Sequence, residues 1–282
     1  MTVFLNGAYL PLAEAKISVL DRGFIFSDGV YEVIPIYNGR LFRLHQHLQR
    51  LQQSLNGIRL DPPLSPEAWQ EILTTLVAKN GGGDLSLYLQ ITRGPAPRDH
   101  RFPEKTEPTL FAMTQPLPPI QGTKGIAAIT VEDIRWKLCQ IKSIALLPNI
   151  LLRQQAVDEG CGEAIMIRDN EVTEGAASNL FLVNSGVVMT PPNSNLILPG
   201  ITRDIVIELC QRHQIPYEVR AIDRDELHHA EEIWVTSSTK ELVPVTALNH
   251  TPVGDGNPGP RWQQLSTLYQ QYKQSFIRGE AD

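Results

Sequence analysis

A chain of 282 residues with 42% hydrophobic content has enough apolar material for two compact lobes, each with its own core. Its 25 basic and 31 acidic side chains leave a net charge of −6, which argues against nucleic acid as a partner while allowing a local basic pocket for an anionic ligand. Three cysteines (Cys139, Cys161, Cys210), with no C-x-x-C pair, fit a reducing compartment and suggest neither a disulfide framework nor a metal site. The opening MTVFLNGAYLPLAEAK lacks the basic n-region and long apolar run of a signal peptide, and no apolar stretch approaches the roughly 20 residues that span a bilayer. A cytoplasmic protein with no membrane partner is expected.

In chain order, the first expected elements are short strands around two Asn-Gly turns, Asn6-Gly7 and Asn38-Gly39, each flanked by strand-forming residues. Leu44, Leu48, Leu51 and Leu55 recur on one stripe and predict a helix over 44–55. Ser65-Pro66-Glu67 opens a second helix through Ala78, with Trp69, Leu73 and Leu76 inward, and Gly81 to Gly83 stop it. Leu85, Leu87, Leu89 and Ile91 alternate as on a strand. The Pro- and Gly-rich stretch 114–125 reads as a linker, dividing the chain into lobes 1–118 and 119–282. The second lobe is expected to hold a strand over 125–136, a helix from Pro148 to Glu159 and short strands at 163–168, 179–183 and 186–190. A helix after Gly200 and a strand over 232–238 follow. Strands and helices mixed in both lobes give an α/β (α+β) fold.

Several residues could carry chemistry. Lys142 stands among Ile141, Ile144, Ala145, Leu146 and Leu147, and an apolar pocket disfavours the ammonium form and so frees a lysine amine as a nucleophile. Taken alone it is an ordinary lysine with an apolar stem. Glu174 lies in a Thr-Glu-Gly-Ala-Ala-Ser-Asn segment read as a turn, where an exposed glutamate is the ordinary alternative. Gly200 precedes a helix starting at Ile201 and Thr202, whose free N–H groups make a phosphate site. Thr236, Ser237, Ser238 and Thr239 end a strand and could complete the cup. Arg50 lies beside the leucine stripe, where a solvent-facing side chain is the default. Arg98 and His100 sit two apart in a Pro-rich loop, a spacing suited to a carboxylate and equally to a basic surface loop.

Together and in order, these segments resemble the fold-type IV pyridoxal-phosphate enzymes, among which are D-amino-acid, branched-chain and aminodeoxychorismate-processing members. The resemblance runs through NGAYLPLAEAKISVLDRGFIFSDGVYEV, QIKS, EAIMIRDNEVTEGAASNLFLV, ILPGITRD and WVTSSTKELVPV, nearly the whole chain. It implies a two-lobed α/β fold with pyridoxal 5′-phosphate between the lobes, assembled as a homodimer. Lys142 would be the Schiff-base lysine, moving a proton between the substrate Cα and the cofactor C4′, and Glu174 would face the pyridine nitrogen. Arg50, Ile201, Thr202 and Ser238 or Ser237 would hold the phosphate, and Leu198 would pack on the ring. Tyr31, with Arg98 and His100 from the second subunit, would trap the substrate carboxylate, the feature closest to D-amino-acid (D-alanine) aminotransferases. The implied activity is transamination between a D-amino acid and a 2-oxo acid such as 2-oxoglutarate. A branched-chain or aryl L-amino-acid aminotransferase, an aminodeoxychorismate lyase and a non-catalytic binding protein are the alternatives. Ala176-Ala177 stand where more serine is expected, with Ser178 left to compensate, and Gln140 stands where relatives tend to carry an acid.

Overall fold

The computed structural model describes residues 1–117 and 124–281, so residues 118–123 of the expected linker and the expected lobe boundary lie outside the described residues. The described residues divide into two compact units, Met1–Leu117 with Ile141–Ala145, and 124–140 with Leu146–Ala281.

In the first unit, β1 (Thr2–Leu5) and β2 (Ala8–Pro11) close around Asn6-Gly7. β3 (Gly29–Tyr37) and β4 (Arg40–Leu41) close around Asn38-Gly39. All four turn residues have positive φ, the geometry that makes Asn-Gly a hairpin signal. With β5 (Leu85–Thr92) and β6 (Thr109–Pro116) these strands form one sheet in the order β2-β1-β6-β5-β3-β4. Val30, Ile34 and Ile36 of β3 and Leu87, Leu89 and Ile91 of β5 share one face. That face packs on α2 (Leu44–Gly57) and α3 (Pro66–Lys79), through Leu48, Leu51, Leu55, Trp69, Leu73 and Leu76. The Ser65 hydroxyl caps α3, accepting from the Ala68 N–H at 3.3 Å. A short α1 (Arg22–Phe26) precedes β3, capped by Asp21.

One difference from the sequence reading bears on function: Lys142 belongs to the first unit, not to the C-terminal lobe. Ile141–Ala145 run along the free edge of β3, where the Tyr31 N–H donates to the Lys142 carbonyl at 3.0 Å and the Ile144 N–H to the Gly29 carbonyl at 3.1 Å.

The second unit holds β7 (Ile126–Glu132), α4 (Leu147–Asp158), β8 (Glu163–Arg168), β9 (Glu171–Gly175), β10 (Asn179–Asn184), β11 (Val187–Thr190), α5 (Ile201–Arg212), β12 (Tyr217–Val219), β13 (Glu232–Ser237), β14 (Glu241–Leu248), β15 (Thr251–Pro252) and α6 (Pro260–Arg278). Its sheet runs β12-β11-β10-β13-β14-β7-β8-β9, with β15 beside β14. Leu152 and Ala156 of α4 cover Ile129, Val131, Ala164 and Met166 on one face. Ile165, Leu180, Leu182, Ile233, Val235 and Val243 form another cluster. Ala176 packs into the cluster under α4, a place for a methyl group.

Of the longer elements, β6, β9, β14 and α6 had no expectation in the sequence. In α6 the buried Trp262, Leu265, Tyr269, Tyr272 and Phe276 do follow helical spacing, but glutamines and serines interleave them and dilute the pattern.

After β5 the chain turns at Gly94, whose φ is +91° and whose α-hydrogen faces the Glu107 carbonyl oxygen so closely that a Cβ would collide with it. Gly94→Ala should therefore cost more than about 2 kcal/mol, seen as a lowered thermal midpoint. An unchanged midpoint would show that this turn tolerates a side chain.

Candidate active site

In the first unit the site is built on β3, whose neighbouring residues point to opposite faces. Lys142 is pinned through both its main-chain groups: its carbonyl accepts from Tyr31, and its N–H donates to the Ser54 hydroxyl of α2 at 3.0 Å. Its side chain is left to reach over Tyr31, with Nζ 4.2 Å from the ring centroid. Tyr31 in turn stacks on Tyr88, ring centroids 5.7 Å apart. The Tyr88 hydroxyl donates to Gln90 Oε1 at 2.6 Å, and burial pushes that phenol up to about 12.

On the other face of β3, Glu32 is fully buried within the apolar layer. Arg50 of α2 grips it with a fork, Nε to Oε1 and Nη2 to Oε2, both 2.7 Å, and His47 Nδ1 lies 2.7 Å from Oε2. Burial alone would raise the Glu32 carboxyl, but Arg50 and His47 hold it well below the ordinary range. Burial also pushes His47 down, against the pull of Glu32. His47, Arg50 and Ser54 thus form a polar stripe on α2 beside the leucine stripe. Arg50 is 5% exposed, so the solvent-facing default is overturned. The signal that could have found it is Glu32, a lone acid in the apolar alternation of β3.

Arg98 and His100 are both exposed, on the stretch between β5 and β6, and both lie against Phe26. The Arg98 guanidinium is 5.4 Å from that ring and the His100 ring 5.2 Å.

In the second unit Glu174 lies on β9, buried, rather than in an exposed turn. Its carboxylate accepts from Arg135 Nη1, from Asn179 Nδ2 at 3.0 Å and from the Leu198 N–H at 3.1 Å. Arg135 is itself held by Asp133, Nε to Oδ1 at 2.9 Å and Nη2 to Oδ2 at 2.8 Å, and Asp133 also takes Arg168 at 3.0 Å. Neither Arg135 nor Asp133 was expected, because nothing in a strand end distinguishes an ion pair aimed inward from one aimed at water. Burial raises Glu174 to about 7, against the lowering pull of Arg135.

Asn179 ties the remaining groups together. Its Nδ2 also donates to the Leu198 carbonyl at 2.8 Å, and its Oδ1 occupies the space a Cβ on Gly200 would need. Gly200 starts α5, which has no side-chain cap, so its first-turn N–H groups at Ile201 and Thr202 are available to an anion. Asn179 pairs across the sheet with Thr236, and Ser237 and Ser238 follow at that strand end. Glu174, Leu198, Ile201, Thr202, Ser237 and Ser238 are therefore gathered at one end of this unit's sheet. Ser178 differs: its hydroxyl donates to Glu163 at 2.9 Å.

A buried carboxylate with a proton affinity near neutrality, beside an uncapped helix start and a run of hydroxyls, is the donor set that an aromatic nitrogen base bearing a phosphate requires. The profile of the family described as amino-transferase class IV matches residues 29–248, which hold Lys142 and all these groups. The chain belongs to the class IV aminotransferases. D-alanine aminotransferase of Bacillus licheniformis is 42% identical over 272 residues, 96% of each chain. That of Staphylococcus aureus (strain MW2) is 40% identical over 276 residues, 97% of this chain and 98% of the relative. Among solved structures, the branched-chain aminotransferase of Thermoproteus uzoniensis with norvaline matches with a TM-score of 0.90 at 28% identity, covering 99% of this chain and 95% of the other. The T.th. branched-chain amino acid aminotransferase with pyridoxamine 5′-phosphate gives 0.91 at 26%, covering 99% and 94%. As a class IV aminotransferase the protein works with pyridoxal 5′-phosphate, which the donor set fits.

The Glu174 carboxyl gives a signed pH dependence. Its affinity for a proton is raised on folding from the ordinary 4.5 to about 7, so its contribution favours the folded state below about 4.5 and is lost as pH rises toward 7. The cofactor-free protein should thus lose more stability than Glu174→Gln between about pH 5 and pH 7.5, measured as urea midpoints. Identical slopes in the two proteins would place Glu174 at an ordinary proton affinity.

Proposed function

We propose that this aminotransferase exchanges the amino group of a D-amino acid such as D-alanine with a 2-oxo acid such as 2-oxoglutarate. Two observations support the reading: curated relatives of about 40% identity over nearly the full chain are D-alanine aminotransferases, and Arg98 and His100 lie side by side on Phe26. Bound pyridoxal 5′-phosphate supplies an electron sink for the charge that develops at the substrate Cα. Lys142 Nζ would hold the cofactor, and would take the proton from the substrate Cα as a base and return it as an acid. Glu174, steadied by Arg135, Asn179 and the Leu198 N–H, would face the ring nitrogen and hold its proton. Arg50, set by Glu32, would hold the phosphate, as would Ile201, Thr202 and Ser237 or Ser238, and Leu198 would pack on the ring. Ser178 serves this end of the sheet through Glu163.

Arg98 and His100 bind the substrate carboxylate with Tyr31, and we infer that they do so across a homodimer. Large apolar side chains lie exposed in each unit: Val19 (73%) and Phe24 (71%) in the first, Leu147 (66%) and Ile150 (60%) in the second. A second copy would cover such surface. No helix among the described residues is long and apolar enough to cross a membrane. We place the protein in the cytoplasm, in keeping with three free, buried cysteines.

A branched-chain L-amino-acid aminotransferase is the second reading, favoured by the solved structures at 26–28% identity. Parallel assays with D-alanine and L-leucine, each with 2-oxoglutarate, separate the two. Pyruvate from D-alanine and no reaction of L-leucine is expected, and the reverse would overturn the substrate assignment. Lys142→Ala should abolish turnover in either case. Arg98→Ala should raise KM for D-alanine at least about tenfold with the cofactor absorbance intact, and an unchanged KM would remove Arg98 from the carboxylate site.

A further inference from the structure

The stretch from Arg93 to Pro108 holds neither helix nor strand, yet on the proposed reading it aims two donor side chains, Arg98 and His100, at one small anion. A connection of that length in a compact domain owes its shape to tertiary contacts. They come from beneath it, from the segment Asp21–Gly29. The Arg22 N–H donates to the Gly94 carbonyl at 3.0 Å and the Arg93 N–H to the Asp28 carbonyl at 3.0 Å, fixing the base of the loop. Thr106 closes it, its hydroxyl donating to the Arg93 carbonyl at 2.8 Å.

The tip is held by Arg22, which is 4% exposed. Its Nη1 donates to the carbonyls of Asp99 at 2.6 Å and Arg101 at 3.2 Å, the two residues that flank His100. Its Nε donates to Asp28 Oδ2 at 2.8 Å. Asp28 is gripped from its other side by Arg93, Nε to Oδ2 at 2.8 Å and Nη2 to Oδ1 at 3.0 Å. Arg93 is itself tied to the Ile58 carbonyl at 2.7 Å and covered by the Phe102 ring at 3.8 Å. The Phe26 ring is the plate on which the tip rests: Arg22 lies 4.9 Å from its centroid, Arg98 5.4 Å and His100 5.2 Å. The two side chains offered to substrate are exposed, while the arginines that shape their backbone are buried.

We propose that Arg22 is a positioning residue for substrate recognition. By clamping the carbonyls on both sides of His100, with Phe26 as the common aromatic plate, it sets the aim of Arg98 and His100 at the substrate carboxylate. The inference rests on the reading of those two residues as the carboxylate site. A planar fork bonding three acceptors at once is what the arrangement uses, and a lysine ammonium cannot span them.

The test uses the cofactor-loaded enzyme and four variants: Arg22→Lys, Phe26→Leu, Phe26→Tyr and Arg98→Ala. Arg22→Lys and Phe26→Leu should raise KM for both the D-amino acid and the 2-oxo acid about tenfold, with kcat within about threefold of the parent. Visible absorbance should hold, Arg22→Lys should lower the thermal midpoint because it loses bonds to Asp28 and two carbonyls, and Phe26→Tyr, which keeps the aromatic plate, should keep the parental KM. Raised KM in Arg98→Ala alone would overturn the role of Arg22 and leave the carboxylate site standing. Unchanged KM in all of them would overturn the carboxylate site itself. A lowered midpoint or lost absorbance without a change in KM would make Arg22 a structural residue only and overturn the proposal. Should Arg22→Lys fail to fold, the contrast between Phe26→Leu and Phe26→Tyr decides it.

Discussion

The Tyr31 N–H, donating to the Lys142 carbonyl at 3.0 Å, is the contact on which the proposed role of Lys142 depends. It draws a segment from far along the chain onto the free edge of β3 and fixes the lysine main chain, so that only the side chain is left to move. The Ser54 hydroxyl takes up the lysine's own N–H, and the neighbouring Ser143 and Ile144 continue the pairing along Val30 and Gly29. The proposed nucleophile and proton carrier would gain from this, because a fixed main chain keeps the amine in one place.

The strand that receives the lysine also divides the labour of the site by its period of two. Tyr31 faces the lysine amine on one side, and Glu32 faces α2 on the other, where it meets Arg50 and His47. Placing a carboxylate in an apolar layer is tolerable only because every approach to it is a donor. Removing one partner from such a pair would cost about 3–5 kcal/mol. The same device recurs in the second unit, where Glu174 is surrounded by Arg135, Asn179 and a main-chain N–H. The two carboxylates differ in outcome. Glu32 is held ionised by a forked guanidinium, whereas Glu174 sits near neutrality, suited to sharing a proton with a base.

What could be read in the sequence was what local chemistry writes there. Asn6-Gly7 and Asn38-Gly39 named their hairpins, Ser65-Pro66 named the start of α3, and the leucines named the face of α2. The order of motifs named the family, whose profile spans residues 29–248. What stayed hidden was decided by distant partners. Arg50 read as a surface residue because its acceptor, Glu32, lies in another element. Glu174 read as a turn residue because its three donors come from Arg135, Asn179 and Leu198. Lys142 was expected with the C-terminal lobe because sequence order carries no sign that a short segment will pair with a strand from a distant part of the chain. The segment Asp21–Gly29 was recognised as a motif, and only the contacts of Arg22 and Asp28 show what it builds.

The proposed chemistry rests on one covalent attachment, and it can be located directly. The purified protein is saturated with pyridoxal 5′-phosphate, reduced with borohydride, digested and mapped by mass. A single pyridoxyl adduct on the peptide carrying Lys142 is the predicted result. An adduct on another lysine, with Lys142 unmodified, would contradict the assignment of the site and with it the mechanism built on β3.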